Sequence, residues 1–253
     1  MLKFASLGSG SEGNSFLVKS NQALVMVDCG FNFKETSKRL KKLDIDLSDI
    51  NGILITHEHE DHCKSVSQIL KNNEIKIYST YGTAKRLKLL NDIEIINSSG
   101  LMQINDIQIS VIPVPHDASE PCHFVFESSN TKIGIITDFG FVTNKIKNNY
   151  SGLNLLVVEA NHDEELLENS RYPRNLKKRI LGKYGHVDNK TVKDFIVDIK
   201  KENLEKIIFC HLSKNNNSKD LVKRSMGEIF EKYDCEFIEQ EEIFNWIQLD
   251  GKF

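Results

Sequence analysis

The chain has 253 residues, of which 40% are hydrophobic and 27% are charged, and its formal net charge is −3. This composition is typical of a globular protein with a sizeable core, and it excludes a disordered chain, a collagen-like fibre and a small disulfide-stabilised protein. The net charge argues against a protein that coats nucleic acid through bulk positive charge, although a local contact stays open.

Short β-branched segments predict strands along most of the chain, with helices between and after them. The predicted strands are 3–7, 15–19, 23–28, 52–56, 76–79, 107–114, 123–127, 132–137, 155–159, 206–210 and 244–249. The predicted helices are 33–43, 62–71, 82–90, 188–200 and 218–233. Antiparallel strands followed by mixed β/α units predict two sheets packed face to face with helices outside. We therefore expect a single-domain α/β sandwich over residues 1–253.

No apolar segment approaches the roughly 20 residues that a membrane span needs. Residues 1–6 lack the apolar core of a signal peptide. The five cysteines form no CxxC pair and are typical of reduced thiols. These features predict a cytoplasmic protein without a membrane partner, and they leave its oligomeric state open.

A cluster of histidines and acids follows the predicted strand 52–56. His57 and His59 lie two residues apart, so both rings can face one metal ion. Asp61 and His62 come at the start of a predicted helix and can reach a second ion nearby. Imidazole and carboxylate ligands together suit Zn²⁺, Mn²⁺ or Fe²⁺. The alternative, that Asp61 only caps the helix and the histidines are surface residues, requires a chance coincidence of four residues.

Four further candidates share one position, directly after an apolar strand: Asp28, His116, Asp138 and His211. Strand ends at one edge of a sandwich present side chains to a common cleft. Each residue alone would more often be a turn aspartate or a hydrogen-bonded histidine. Their recurrence at strand ends is what indicates a shared site.

These residues resemble the metal-binding pattern of the metallo-β-lactamase superfamily, whose fold is an αββα sandwich. The resemblance implies that one ion is held by His57, His59 and His116. It implies a second ion held by Asp61, His62 and His211, with Asp138 bridging the two and Asp28 supporting the site. The ions would be Zn or Mn, with Fe possible, and metal-activated hydroxide would attack a phosphate.

Longer motifs resemble the YycJ/WalJ group of bacterial 5′-to-3′ DNA exonucleases within this superfamily. They lie at 6–15, 116–121, 159–163, 185–187 and 211–217. The resemblance implies a nucleic acid substrate, DNA in preference to RNA. It also implies a dinuclear phosphodiesterase in which Asp61 orients the nucleophile or accepts its proton.

A similarity to ribonuclease Z implies a further pair. Glu159, followed by Ala160, would hold His186, which would protonate the departing 3′-oxygen. The alternative is that His186 caps the helix that starts near residue 188. His162 is expected to support the metal site by shaping the cleft.

Six cations and no acid lie between residues 171 and 183. Arg171, Arg174 and Lys178 are the candidates for phosphate contacts, with Tyr172 as a possible stacking ring. The alternative is a solvated helix face. Ser213, Asn216 and Asn217 follow a candidate ligand and can either bind a terminal phosphate or form a turn. The Ser/Gly loop at 9–13 alone does not predict a phosphate-binding site.

Two rival functions remain at this point. One is a small-molecule hydrolase of the same fold, acting on a cyclic phosphodiester, a lactone or a thioester. The other is a non-catalytic nucleic-acid-binding module, which the intact ligand set disfavours because structural zinc sites rarely use seven ligands.

Overall fold

The computed structural model describes residues 1–249 and contains two seven-stranded sheets with helices on their outer faces. The strands are β1 Lys3–Gly8, β2 Ser15–Lys19, β3 Leu24–Val27, β4 Gly52–Leu54, β5 Ile77–Ser79, β6 Glu94–Ile95, β7 Leu101–Ile104, β8 Ile107–Pro113, β9 Cys122–Ser128, β10 Thr131–Ile136, β11 Leu155–Glu159, β12 Lys206–Cys210, β13 Asp234–Phe237 and β14 Phe244–Gln248. The helices are α1 Phe33–Lys41, α2 Glu60–Cys63, α3 Val66–Asn72, α4 Tyr81–Leu87, α5 Asn144–Asn149, α6 Glu164–Asn169, α7 Arg174–Ile180, α8 Asn189–Asp198, α9 Lys219–Met226 and α10 Glu228–Lys232, with a 3₁₀ turn at Leu47–Asp49. Within residues 1–249 none of these helices is long and apolar enough to cross a membrane.

Each sheet is antiparallel on one side and parallel on the other. The first sheet has the order β14-β1-β2-β3-β4-β5-β6 and becomes parallel from β3 onward. The second has the order β13-β12-β11-β10-β9-β8-β7 and is parallel from β10 to β13. Parallel neighbours need crossover connections, which place helices on the sheet faces. The carboxyl ends of the parallel strands are therefore free to carry functional loops.

The core lies between the two sheets. Phe16 and Val25 of the first sheet pack in one cluster with Phe124, Ile135 and Val157 of the second. A fully buried phenylalanine or valine contributes about 1.5–3 kcal/mol through the hydrophobic effect, so this layer joins the sheets strongly.

Two further clusters fix the helices to the outer sheet faces. Leu40 of α1 and Ile69 of α3 pack on the first sheet. Phe195 of α8 and Val222 of α9 pack on the second. The layers are helix, sheet, sheet, helix, which confirms the expected αββα sandwich.

The structure has strands at 15–19, 155–159 and 206–210, as predicted. Two segments predicted as single helices were wrong, because each of them forms two separate helices. The predicted helix 62–71 is interrupted between α2 and α3, because the backbone N–H and the Oγ of Ser65 both bond to the Cys29 carbonyl at 3.1 Å. The predicted helix 218–233 is interrupted at Gly227, whose φ of +52° does not fit an α-helix.

Several short elements were not predicted: β6, β7, β13, α5, α6 and α7. Their residues give little periodic signal, because α7 has no buried side chain and α6 buries only Leu167. An element without an apolar stripe cannot be recognised from hydrophobic periodicity.

Candidate metal centre

The candidate ligands predicted from strand ends come together at one edge of the sandwich. They follow β3, β4, β8, β10 and β12, and most of them are buried: Asp28 0%, His57 1%, His62 0%, His116 5%, Asp138 2% and His211 4% exposed. Three of them, Asp28, Asp138 and His211, have a positive φ of 59°, 49° and 53°. The chain therefore turns sharply as each strand ends, and the side chain enters the site.

Three imidazoles form the first set of candidate ligands. His57 Nε2 lies 3.0 Å from His59 Nδ1, and His116 Nε2 lies 3.3 Å from the same atom. Their ligand atoms fall within one sphere that a metal ion can share. Three histidines are a common protein ligand set for a catalytic zinc ion.

A second set lies beside the first and includes carboxylates. Asp61 Oδ2 is 3.4 Å from His62 Nε2 and 3.7 Å from His211 Nε2. Asp138 lies next to both histidines, with Oδ2 3.0 Å from His62 Nε2 and Oδ1 3.7 Å from His211 Nε2. Since His57, His62 and Asp138 also form a ligand group, Asp138 adjoins both sets.

Two buried polar atoms of the cluster have no hydrogen-bond partner within residues 1–249, as expected of atoms that bind a cation. Neither Asp138 Oδ2 nor His211 Nε2 forms a hydrogen bond with any residue in 1–249, although both atoms are buried. A buried polar atom without a partner is costly. Lone pairs of imidazole nitrogen and carboxylate oxygen that converge in this way suit a divalent transition metal. The cluster can therefore hold divalent metal.

Asp28 and Thr56 orient two of the histidines. The Asp28 carboxylate accepts hydrogen bonds from the Thr56 backbone N–H at 2.8 Å, from Thr56 Oγ1 at 2.9 Å and from His62 Nδ1 at 2.8 Å. Because the Thr56 hydroxyl donates its proton to Asp28, it accepts from His57 Nδ1 at 2.9 Å. Both rings thus carry their proton on Nδ1 and keep the lone pair of Nε2 for a metal, as ligating histidines usually do. Asp28 was expected to support the site, whereas the part played by Thr56 was not predicted from sequence.

Two more histidines are oriented by hydrogen bonds to Gly185 and Glu159. His116 Nδ1 donates to the Gly185 carbonyl at 3.1 Å, and His211 Nδ1 donates to Glu159 Oε1 at 2.9 Å. Gly185 itself is required by packing, because a Cβ there would lie 2.1 Å from the Ile180 carbonyl oxygen. The tight turn before residue 186 therefore contributes to the ligand set.

Glu159 also holds His186. Its Oε1 accepts from His186 Nδ1 at 2.8 Å, and its Oε2 accepts from the Phe139 backbone N–H at 3.3 Å. Burial alone would lower the pKa of His186, but the Glu159 and Asp138 carboxylates outweigh it and raise that pKa above its ordinary value. The structure brings this pair together beside the metal ligands, and His186 lines the same cavity.

The capping alternatives do not match the structure. Helix α2 has His59 at its N-cap position and no side-chain cap, so Asp61 is not a capping residue. Helix α8 is capped by Asp188, which accepts from the backbone N–H groups at positions 190 and 191, so His186 is not the cap. His162 is buried, and its backbone forms a bridge with Asp188. It does not line the cavity over the ligands.

Asn14 is a site residue that was not predicted from sequence, because the loop before it was not counted. Its Nδ2 lies 3.3 Å from Asp61 Oδ2 and donates to the Gly10 carbonyl at 3.0 Å. Ser9 Oγ donates to Asn14 Oδ1 at 2.7 Å and accepts from the His211 backbone N–H at 3.1 Å. The loop therefore connects Asp61 with His211. The signal was present, since the motif at 6–15 contains these residues.

A cavity of about 530 Å³ opens over the ligands. Its lining includes His59, Asp61, Asp138, Asn161, Tyr172, Leu176, Arg179, Ile180, His186, His211, Ser213, Lys214 and Asn215. This volume lies within the range of sites that take small molecules or parts of larger ones, about 300–1,000 Å³.

Of the residues predicted to contact phosphate, only Ser213 lines the cavity. Ser213 lines the cavity, whereas Asn216 and Asn217 are buried outside it. Asn217 Nδ2 donates to the Ala160 carbonyl at 2.8 Å and pairs with Asn189, which is a packing role. Arg171, Arg174 and Lys178 do not line the cavity.

The cysteines beside the candidate ligands are packing residues. Cys29 and Cys210 are fully buried, and burial raises the pKa of both thiols. Burial also raises the pKa of Cys63 to about 12, and its Sγ donates to the His59 carbonyl at 3.1 Å. High thiol pKa values disfavour the thiolate that binds metal.

A family model described as the β-lactamase superfamily domain matches residues 24–211. The exodeoxyribonuclease YycJ of Bacillus anthracis is 34% identical over 237 residues, which cover 91% of this chain and 90% of that protein. The exodeoxyribonuclease WalJ of Streptococcus pneumoniae serotype 2 (strain D39) is 30% identical, with 88% and 86% covered.

Among solved structures, the metallo-β-lactamase fold protein YhfI from Bacillus subtilis superposes with a TM-score of 0.72 at 11% identity. The match covers 97% of this chain and 100% of YhfI. At this identity the likeness concerns the fold alone, and it agrees with the αββα sandwich.

Proposed function

The chain belongs to the β-lactamase superfamily and to its YycJ/WalJ group, and from that premise we propose that it is a divalent-metal-dependent exonuclease that degrades DNA from the 5′ end. The observation that carries the proposal is the pair of ligand sets that meet at Asp138 under an open cavity. Paired metal sites that share a carboxylate are typical of enzymes that hydrolyse phosphodiesters.

We assign one ion to His57, His59 and His116. The second ion is assigned to Asp61, His62 and His211, with Asp138 between the two. Zn or Mn suits these ligands, and Fe is also compatible. Two such cations, when bound, lower the pKa of a coordinated water and neutralise the charge that develops on phosphate oxygens.

Three side chains of the site have roles in moving protons. Asp61, held by Asn14, would orient the nucleophilic water or accept its proton. His186 donates Nδ1–H to Glu159, which leaves Nε2 to carry a second proton. The Glu159 and Asp138 carboxylates raise the pKa of His186 above its ordinary value. This favours the doubly protonated ring, so Nε2 can protonate the departing 3′-oxygen.

The test is turnover of end-labelled single- and double-stranded DNA and RNA with Mn²⁺ or Zn²⁺ added. Wild type is compared with Asp61→Ala, and product lengths are resolved on a gel. Asp92→Ala is the control, because Asp92 is exposed and lies outside the cavity. We expect metal-dependent release of short products from the 5′ end of DNA, abolished only in Asp61→Ala.

Other outcomes separate the rival functions. Intact polymers with every metal would refute the nuclease. Turnover of bis(p-nitrophenyl) phosphate under the same conditions would then identify a small-molecule hydrolase. Cleavage of RNA but not DNA would keep the phosphodiesterase and correct its substrate.

A further inference from the structure

One face of α7 forms a wall of the cavity over the metal ligands. The lining residues from this region are Tyr172, Leu176, Arg179 and Ile180. Leu176 and Ile180 are one helical turn apart, with Arg179 between them on the same side. Since α7 has no buried residue, packing in the core does not account for these side chains.

Arg179 is held in place at this wall. Its Nε and Nη2 donate to the two carboxylate oxygens of Asp117 at 2.5 and 3.3 Å. Asp117 Oδ1 lies 3.3 Å from His116 Nε2, so the pair lies beside the three-histidine set. Nη1 has no hydrogen-bond partner within residues 1–249. A guanidinium held on one edge can present its other donors to an anion.

The other cation in the cavity wall has acidic partners on two sides. Lys214 Nζ bonds to Glu12 Oε1 and Glu241 Oε1, both at 3.0 Å. Several other lining groups are acidic, among them Glu60 and Asp61. Arg179 has a single acidic partner and an unpaired Nη1 within residues 1–249, so its charge is less neutralised than that of Lys214 and is the one that an incoming phosphate can use.

Tyr172 supplies an aromatic surface in the same wall. Its hydroxyl accepts a hydrogen bond from Asn215 Nδ2 at 3.0 Å. This bond joins the segment before α7 to the loop that follows β12, which restricts the ring. A fixed aromatic ring beside a cation is the combination that binds single-stranded nucleic acid.

We propose that this wall of α7 binds a single-stranded nucleic acid end, with a phosphate on Arg179 and the adjoining base stacked on Tyr172. The inference rests on the proposed nuclease function and deepens it. A single strand is favoured because most of the candidate metal ligands under the cavity are buried. Bases in a duplex are paired and stacked on one another, so their faces are not available to an aromatic ring.

The experiment compares kcat/KM for wild type, Arg179→Ala, Tyr172→Ala and Tyr172→Phe on three substrates. These are a single-stranded oligonucleotide, the same oligonucleotide with abasic sites at its 5′ end, and bis(p-nitrophenyl) phosphate. Controls are Arg224→Ala and Tyr81→Ala, since both residues are exposed and outside the cavity.

We expect Arg179→Ala to lower kcat/KM about 10- to 100-fold on both oligonucleotides, the loss of one charge-assisted contact. Tyr172→Ala should lower it about 10-fold on the oligonucleotide with bases. On the abasic oligonucleotide that loss should disappear. Tyr172→Phe keeps the ring and should remain close to wild type.

Three results would overturn the inference while wild type still cuts DNA. One is a Tyr172→Ala loss that persists on the abasic substrate. Another is a Tyr172→Phe loss equal to that of Tyr172→Ala, which would assign the effect to the bond with Asn215. The third is an equal loss in the control Arg224→Ala, which would indicate bulk charge. If wild type cuts no nucleic acid at all, the proposed function itself has failed.

Discussion

Asp28→Asn changes one charge at the metal centre while it preserves shape. Asp28 is fully buried and adopts φ 59°, a conformation that asparagine also tolerates. Asparagine can still accept from the Thr56 backbone N–H through Oδ1. Its NH₂ group, however, replaces the oxygen that accepts from His62 Nδ1 at 2.8 Å. Two donors then face each other, and His62 loses the partner that fixes its ring.

The expected effect falls on one of the two candidate ligand sets. Loss of a carboxylate that orients a ligating histidine costs typically about 10–100-fold in metal affinity, or about 1.4–2.7 kcal/mol. His62 belongs to the second ligand set, whereas His59 and His116 have no contact with Asp28. His57 is linked to Asp28 only through Thr56 Oγ1, which can still donate to Oδ1 at 3.1 Å. The site assigned to those two histidines and His57 should therefore keep a nearly normal affinity.

The assay is equilibrium dialysis against buffered free Zn²⁺, with bound metal counted per chain. Asp44→Asn is the matched control, because Asp44 has φ 56° but is exposed and belongs to none of the candidate ligand groups within residues 1–249. We expect biphasic binding in Asp28→Asn, with one ion shifted about 10–100-fold and the other unchanged. If a folded Asp28→Asn binds both ions as wild type does, the orienting role of Asp28 is refuted.

Three other predictions test separate parts of the structure. His186→Ala should lower kcat on DNA at least about 100-fold; on bis(p-nitrophenyl) phosphate, whose leaving group needs no proton, the fall should be small, and equal losses would contradict an acid role. Gly30→Ala should cost about 3 kcal/mol or more in urea unfolding, because its Cβ would lie 1.7 Å from the Asp61 carbonyl oxygen; an unchanged midpoint would show that the loop can yield. Burial lowers the pKa of His123 to about 3, so the stability that its neutral ring contributes is complete above pH 6.5 and is lost as the pH falls toward 3. Between pH 6 and 4 the free energy of unfolding of wild type should therefore fall by up to about 1.4 kcal/mol more per pH unit than that of His123→Gln. Parallel curves of unfolding free energy against pH would contradict this.

The residues of the candidate site could be located from sequence because their signal is local. His57, His59 and Asp61 fall within five residues directly after an apolar strand, and such a cluster rarely arises by chance. The strands themselves were recognisable because β-branched residues recur in short buried segments. The sandwich followed from the order of these elements.

Asn14 and the role of Arg179 were missed because their contacts depend on approach between distant segments. Asn14 reaches Asp61 across 47 residues of sequence, and Arg179 meets Asp117 across 62. Nothing in the spacing of these residues indicates either contact. Thr56 was missed for another reason: it adjoins His57, but only the position of Asp28 gives its hydroxyl a role.

The type of a strand-end residue does not by itself distinguish a turn residue from a metal-site residue, and the reason is physical. Asp28, Asp138 and His211 each adopt a positive φ, which costs about 1–3 kcal/mol per residue outside glycine. Aspartate and histidine are among the residues that tolerate this conformation best, so a turn residue and a metal-site residue are the same residue types. Glycine would relieve the strain but would remove the carboxylate or imidazole. The side chains are therefore kept at a cost to stability, and a strained aspartate or histidine at a strand end is stronger evidence for a functional site than the residue type alone.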